Sequence, residues 1–237
     1  MKEVLWFLVV CHMLHHLVDF SERGYFLRTI AILFVLIFAW TQTCLSGPAD
    51  VEHSALARLM AGEILVQTVH EEKSGGAAKV TALFHTDMDK IWEVVGYCEH
   101  EFVYVRGLEF CQILETSSFY TKKRHRVNNN WYTPTIDFTF EASRQSSDHG
   151  EFRLVEGNLK VMEGQWSFEQ LTEPGAILVT HEIRVRSWFP APRWLVRRVL
   201  KKDLPNMLAC VRGLAGASGD TDRITDDMNR CPGEIER

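Results

Sequence analysis

The sequence predicts an α+β fold: a curved antiparallel sheet closed on one face by a long C-terminal helix, with an apolar space between them. Three observations predict it. Strand-like runs with period-two alternation succeed one another from residue 108 to 189 across short turn-forming links. One helical segment stands early in the chain, and one long amphipathic segment stands at the end, at 191–215. A sheet with one apolar face must bury it, and the terminal helix carries the stripe to do so.

In chain order, "GEILVQTV" (62–69) and "KVTALF" (79–84) read as strands, with the two glycines of "HEEKSGGAA" as a turn between them. "HTDMDKIWEVVGY" then starts a helix: Thr86 and Asp89 have capping-box spacing, and Ile91, Trp92, Val94 and Val95 form its apolar face. "CEHEFVYVRG" is a short helical or irregular connection. Strands follow at 108–115, 119–127, 133–142, 151–157, 159–171 and 176–189. Their breaks, "NNN", "SSDHG", Gly157-Asn158 and "EPG", carry turn chemistry.

The final helix begins after Pro190 with Pro192 near its first turn. Trp194, Leu195, Val199, Leu204, Met207, Leu208, Val211 and Leu214 give it an apolar stripe, and Pro205 predicts a kink or break. The tail, 216–237, is polar and acidic and is expected to be disordered.

Close to half of the 237 residues are apolar, 24% are charged and the net charge is -5. That suffices for one domain with a sizeable core. The acidity argues against a nucleic-acid partner, which calls for a basic excess. The six cysteines (Cys11, Cys44, Cys98, Cys111, Cys210, Cys231) form no CxxC pair and no cluster with zinc spacing. No metal and no cofactor is therefore expected.

Residues 1–49 form a hydrophobic leader and 50–61 a linker or short helix. "TIAILFVLIFAW" (29–40) has Arg23 and Arg28 before it and "TQTCLSGPAD" after it, the layout of a secretory signal. The run is shorter than the about 20 residues of a usual span, although an uncleaved anchor reaching back through Arg28 stays open. The upstream "VLWFLVVCHMLHHLVDF" (4–20) reads as an extension, with Met13 an alternative start. Basic residues before the apolar run place the rest on the periplasmic side of a membrane, possible tethering included. Disulfides are permitted there, and the sequence leaves their pairing open.

Three stretches taken together resemble the START-like ligand-binding superfamily, also called SRPBCC, and its polyketide cyclase/dehydrase and coenzyme Q-binding branch. They are "VTALFHTDMDKIWEVVGYCEHEFVYVRGLEFCQILE", "EGNLKVMEGQWSFEQLTEPGAILVTHEIRV" and "FPAPRWLVRRVLKKDLPNMLACVRGLA". The second holds a Gly-x-Trp-x-Phe centre (Gly164, Trp166, Phe168), and the third a Pro-Trp opening to the last helix. The resemblance covers 62–215 and implies a helix-grip fold around a hydrophobic cavity. It implies no single chemistry, because members carry lipids, quinones or sterols and some cyclise polyketides.

Alternation selects the side chains expected to face that cavity. They are Phe110 and Leu114; Ile136, Phe138 and Phe140; Met162, Trp166 and Phe168; Ile183; and Met207 of the helix. Most aromatics on such a face are plain core, but together they make an interior for a planar or acyl molecule. Three polar residues share these apolar rows: Gln112, His125 and His181, the last within "AILVTHEIRVR" (176–186). Each must find a buried partner or lose roughly 1–3 kcal/mol. Asp137, Glu163 and Glu169 fall on the opposite row and there is no GxSxG, so no catalytic residue is assigned.

Arg193, Arg197, Arg198, Lys201 and Lys202 recur at helical spacing beside Trp188, Phe189 and Trp194. A solvated helix face is the plain reading, and contact with anionic headgroups at a membrane surface is the functional one. The expected function is binding or transport of a hydrophobic small molecule, a lipid foremost. The alternatives are a cyclase/dehydratase-type enzyme using His181 as acid/base, and a membrane-tethered protein-interaction module.

Overall fold

The structure is a computed structural model and describes residues 48–70, 75–128, 134–172, 175–190, 196 and 198–233. The leader's apolar runs lie outside the described residues. No described helix is long and apolar enough to cross a membrane.

Helix α1 (Pro48–Met60) is followed by strands β1 (Leu65–His70) and β2 (Gly75–His85) and helices α2 (Met88–Gly96) and α3 (Cys98–Tyr104). Six strands come next: β3 (Leu108–Thr116), β4 (Tyr120–Val127), β5 (Ile136–Arg144), β6 (His149–Gly157), β7 (Leu159–Gln170) and β8 (Ala176–Ser187). A π-helical turn (Val199–Asp203) leads into helix α4 (Leu204–Leu214), and helix α5 (Thr221–Asn229) follows. The strands form one sheet in the order β1-β2-β8-β7-β6-β5-β4-β3, and every neighbouring pair is antiparallel. The meander β3 to β8 runs strand by strand, and β8 then pairs with β2. This is the helix-grip plan.

Two apolar clusters divide the interior. Val80, Phe84, Val179 and Ile177 of β2 and β8 pack with Ile91 of α2 and with Leu204, Leu208 and Val211 of α4. Phe138, Phe140, Phe152 and Leu159 form the second cluster across β5, β6 and β7. Helix α4 thus covers one half of the sheet, and the apolar face of the other half is left to line a cavity.

Three expectations are corrected. The glycines read as a turn belong to β2: a Cβ on Gly76 would meet Leu200 Cδ1 at 2.6 Å, so glycine there admits the C-terminal helix against the strand. Helix α2 is capped at Asp87 rather than Thr86, with no side-chain cap bond. The tail is ordered at 221–229: the Asp220 side chain accepts from the Arg223 backbone N–H at 2.7 Å and starts α5. Its polar composition concealed a buried pair, Asp227 with Arg212, and a Cys210–Cys231 disulfide, which together hold α5 against α4. The Cys98–Cys111 disulfide joins α3 to β3.

The predicted break at Pro205 takes a specific form. Leu204 N–H bonds the Val199 carbonyl five residues back, a wider turn than α. Proline has no N–H for the Lys201 carbonyl and its ring crowds that oxygen, so the helix widens just before it.

Candidate functional site

A cavity of about 790 Å³ lies between the uncovered half of the sheet and the helices. The sheet contributes Lys123, His125, Ile136, Phe138, Phe140, Met162, Trp166, His181 and Ile183 to its walls. Met207 of α4 and Trp92, Glu101 and Tyr104 of α2 and α3 complete them. Of the residues chosen by alternation, His125, Ile136, Phe138, Phe140, Met162, Trp166, His181, Ile183 and Met207 are brought together here.

Four are not. Phe110, Gln112 and Leu114 are exposed and line no part of the cavity; Ile113 does. Register shifts at both ends of β3, between Leu108 and Phe110 and between Ile113 and Glu115, frame the stretch. The row that looked more apolar is therefore the outer one. Phe110 instead lies under the Arg126 guanidinium, 5.9 Å from ring centroid to Cζ. Phe168 is buried but belongs to the core, its ring 4.7 Å from that of Trp92.

His181 sits mid-strand in β8, paired with Trp166 of β7 and Val80 of β2. Its ring stacks on Trp166 at 4.1 Å and on Phe152 at 5.6 Å. Glycine at 164 makes room for this stack, because a Cβ there would meet the Phe152 ring at 2.5 Å. The imidazole is 4% exposed, and its Nδ1 has no hydrogen-bond partner among the described residues. Burial lowers its pKa to about 3, against the opposing effect of a hydrogen bond with the Gln165 backbone. The ring is neutral at physiological pH, and no carboxylate hydrogen-bonds it among the described residues. That geometry suits a polar contact better than acid/base work.

A pH dependence follows. The unfolded histidine takes up a proton below about pH 6.5, whereas the folded one stays neutral down to about 3. The unfolded state therefore binds more protons in that window, and stability falls as pH drops from 6.5 towards 3. His181→Gln is expected to flatten this fall by up to about 1.4 kcal/mol per pH unit, measured as the difference in urea-unfolding free energy between pH 6.5 and 5.

A second polar group on the wall is less legible in the sequence. Glu101 of α3 is buried, with Oε1 accepting from Lys123 Nζ at 2.8 Å and Oε2 lying 2.8 Å from His125 Nε2. Lys123, 2% exposed, also donates to the Gly96 carbonyl at 2.6 Å. The His125 ring meets Phe138 and Phe140 edge-on at 5.6 and 4.8 Å. Burial, with Glu101 adding to it, pushes the Tyr104 hydroxyl well above its usual range. The available signal was Lys123 on the same row as Phe119, His125 and Val127, since a lysine on an apolar row needs a buried counter-charge.

Of the membrane-surface candidates, Trp188 is exposed, and Phe189 packs against it at 5.9 Å. Arg198, Lys201 and Lys202 are exposed. Arg193, Trp194 and Arg197 lie outside the described residues. A polar depression on the outer face of the sheet is lined by side chains already paired, Lys79 with Glu182 and Arg184 with Glu163.

Residues 85–212 match the polyketide cyclase/dehydrase and lipid transport family, more than half of the chain. No curated protein matches the chain. Among solved structures, a STAR-related lipid transfer protein from Xanthomonas axonopodis has a TM-score of 0.50 at 11% identity, covering 64% of this chain and 98% of that one. Human StAR-related lipid transfer protein 5 gives 0.49 at 8% identity, covering 70% and 92%. The Zhui aromatase/cyclase from Streptomyces sp. R1128 gives 0.41 at 17% identity, covering 70% and 95%. These likenesses fall below the identity at which more than a fold is shared. The family match rests on the stretch that carries the capped sheet and its cavity, and the chain belongs to the polyketide cyclase/dehydrase and lipid transport family.

Proposed function

We propose that the chain binds and carries one hydrophobic small molecule, a lipid, in the cavity between sheet and C-terminal helix. One observation carries this reading: an aromatic-lined cavity of about 790 Å³ whose wall includes the neutral His181 ring. The buried charges in that wall, Lys123 and Glu101, are already paired with each other, so they set no demand for a charged occupant. Burying about 200 Å² of apolar ligand surface contributes on the order of 5 kcal/mol, offset in part by the ordering of ligand and protein. A small rotation of the His181 ring brings a nitrogen to the end of the ligand that carries a hydroxyl or similar group.

The leader at 1–49 and the disulfides Cys98–Cys111 and Cys210–Cys231 support placing this activity outside the cytoplasm. The exposed Trp188 and the exposed cations Arg198, Lys201 and Lys202 support loading from an anionic membrane surface.

Displacement of a fluorescent acyl probe by a long-chain alcohol tests the reading. Saturable binding at one site per chain is expected, weakened about tenfold by His181→Phe, which removes one hydrogen bond worth on the order of 1–1.5 kcal/mol. Absence of saturable binding by the wild-type chain contradicts the proposal; equal affinity of the variant contradicts the role of His181.

A further inference from the structure

The disulfide-linked sulfur atoms stand at the edge of the Glu101–His125 pair. Cys111 Sγ lies 3.1 Å from Glu101 Oε2 and 3.3 Å from His125 Nε2, and those two atoms are 2.8 Å apart. The sulfurs of Cys98 and Cys111 and a Glu101 carboxylate oxygen all lie within 4.8 Å of one another. We propose that, once the disulfide is reduced, this wall is a tetrahedral site for a thiophilic divalent cation of the Zn²⁺ class. Its ligands are Cys98, Cys111, His125 and Glu101.

The geometry is close to what such a centre needs. Metal–sulfur bonds of about 2.3 Å and metal–nitrogen or –oxygen bonds of about 2.0–2.1 Å put neighbouring ligand atoms roughly 3.3–3.8 Å apart. Three of the ligand atoms, from α3, β3 and β4, already stand at 2.8–3.3 Å and need to spread only by a fraction of an ångström. Cys98 Sγ is held beside them by the covalent bond, and cleaving it frees that sulfur to retreat to the fourth corner.

The surroundings are those of a supported site. Phe138 and Phe140 fix the plane of the His125 ring. Lys123 holds the second carboxylate oxygen of Glu101, which orients the first towards the sulfurs. Charge balances as well. With two thiolates, one carboxylate, one ammonium and a divalent cation the buried group is neutral, as it is in the oxidised state with Glu101 and Lys123 alone. A buried group with net charge would be far costlier.

The redox step is closed by a dithiol. Two electrons and two protons pass to the Cys98–Cys111 bond, the reductant leaves as its own disulfide, and two thiols remain. The cation then displaces both thiol protons to water. The spacing of Cys98, Glu101, Cys111 and His125 carries no zinc pattern because the ligands come from three separate elements.

The test uses the full chain, reduced with a phosphine that adds no competing thiol, and titrated with Co²⁺. One Co²⁺ per chain is expected, with near-ultraviolet thiolate-to-cobalt absorption and the visible bands of a tetrahedral centre. Cys98→Ser, Cys111→Ser and His125→Asn should each weaken binding at least tenfold, while the double variant Cys210→Ser/Cys231→Ser should retain it. Lack of thiolate absorption overturns the proposal. So does absorption that persists in the Cys98 and Cys111 variants, and so does loss of the far-ultraviolet sheet signal on reduction, since the site requires α3, β3 and β4 in place. Probe binding in the cavity is measured separately, so failure of the metal site leaves the ligand reading standing or falling by itself.

Discussion

Asp227→Asn is expected to destabilise the chain by about 3–5 kcal/mol, the usual cost of removing one partner from a buried ion pair. Asp227 is fully buried and Arg212 is 2% exposed. The carboxylate accepts from Arg212 Nε at 2.7 Å and Nη2 at 2.8 Å, and from the Ser218 hydroxyl at 2.7 Å. The same guanidinium donates to the Leu83 and Gly62 carbonyls at 3.4 and 3.2 Å, so one arginine joins α4, β2 and the α1–β1 link to α5. Asparagine keeps the shape but leaves the cation uncompensated and turns one accepting oxygen into a donor. Urea unfolding should show the loss as a lower midpoint with an unchanged slope. A change below about 1 kcal/mol would show that α5 does not dock as described.

The second large effect is expected at Glu101→Gln. Lys123 then keeps the Gly96 carbonyl but loses its only charge partner among the described residues, and His125 loses its carboxylate. A loss of about 3–5 kcal/mol is expected in the same urea assay. The double variant Glu101→Gln/Lys123→Met should recover at least half of it, because exchanging a buried pair for neutral and apolar groups is often near neutral. Failure of that rescue would mean that Glu101 acts through His125 or the α3 backbone rather than as counter-charge to Lys123.

Both expectations concern groups that the sequence hid, for a common reason. The strands, the order of the meander and the cavity-facing rows of β5 and β8 follow from period-two alternation, which one-sided burial enforces. That logic places Ile136, Phe138, Phe140, His181 and Ile183 correctly on the cavity wall. It fails on β3, where bulges make the row of Phe110 and Leu114 a poor guide to the buried face. It fails also on Phe168, because alternation tells which face a side chain is on but not whether a helix covers that part of it.

Charged residues are expected at solvent by default. Glu101, Lys123, Arg212 and Asp227 are buried because each meets a partner far along the chain: 22 residues separate Lys123 from Glu101, and 15 separate Arg212 from Asp227. No local spacing encodes such pairs. The disordered reading of the tail fails for the same reason, since one buried aspartate and one disulfide outweigh a polar composition.

The central claim is that the cavity holds a hydrophobic molecule. Mass spectrometry of small molecules extracted from the chain after purification from a fraction of its native cells tests it most directly. The account predicts one class of apolar molecule carrying a hydroxyl or comparable polar group, near one equivalent per chain and depleted in the His181→Phe protein. A chain that carries no small molecule, and takes up none when incubated with total lipid from the same fraction, would contradict it.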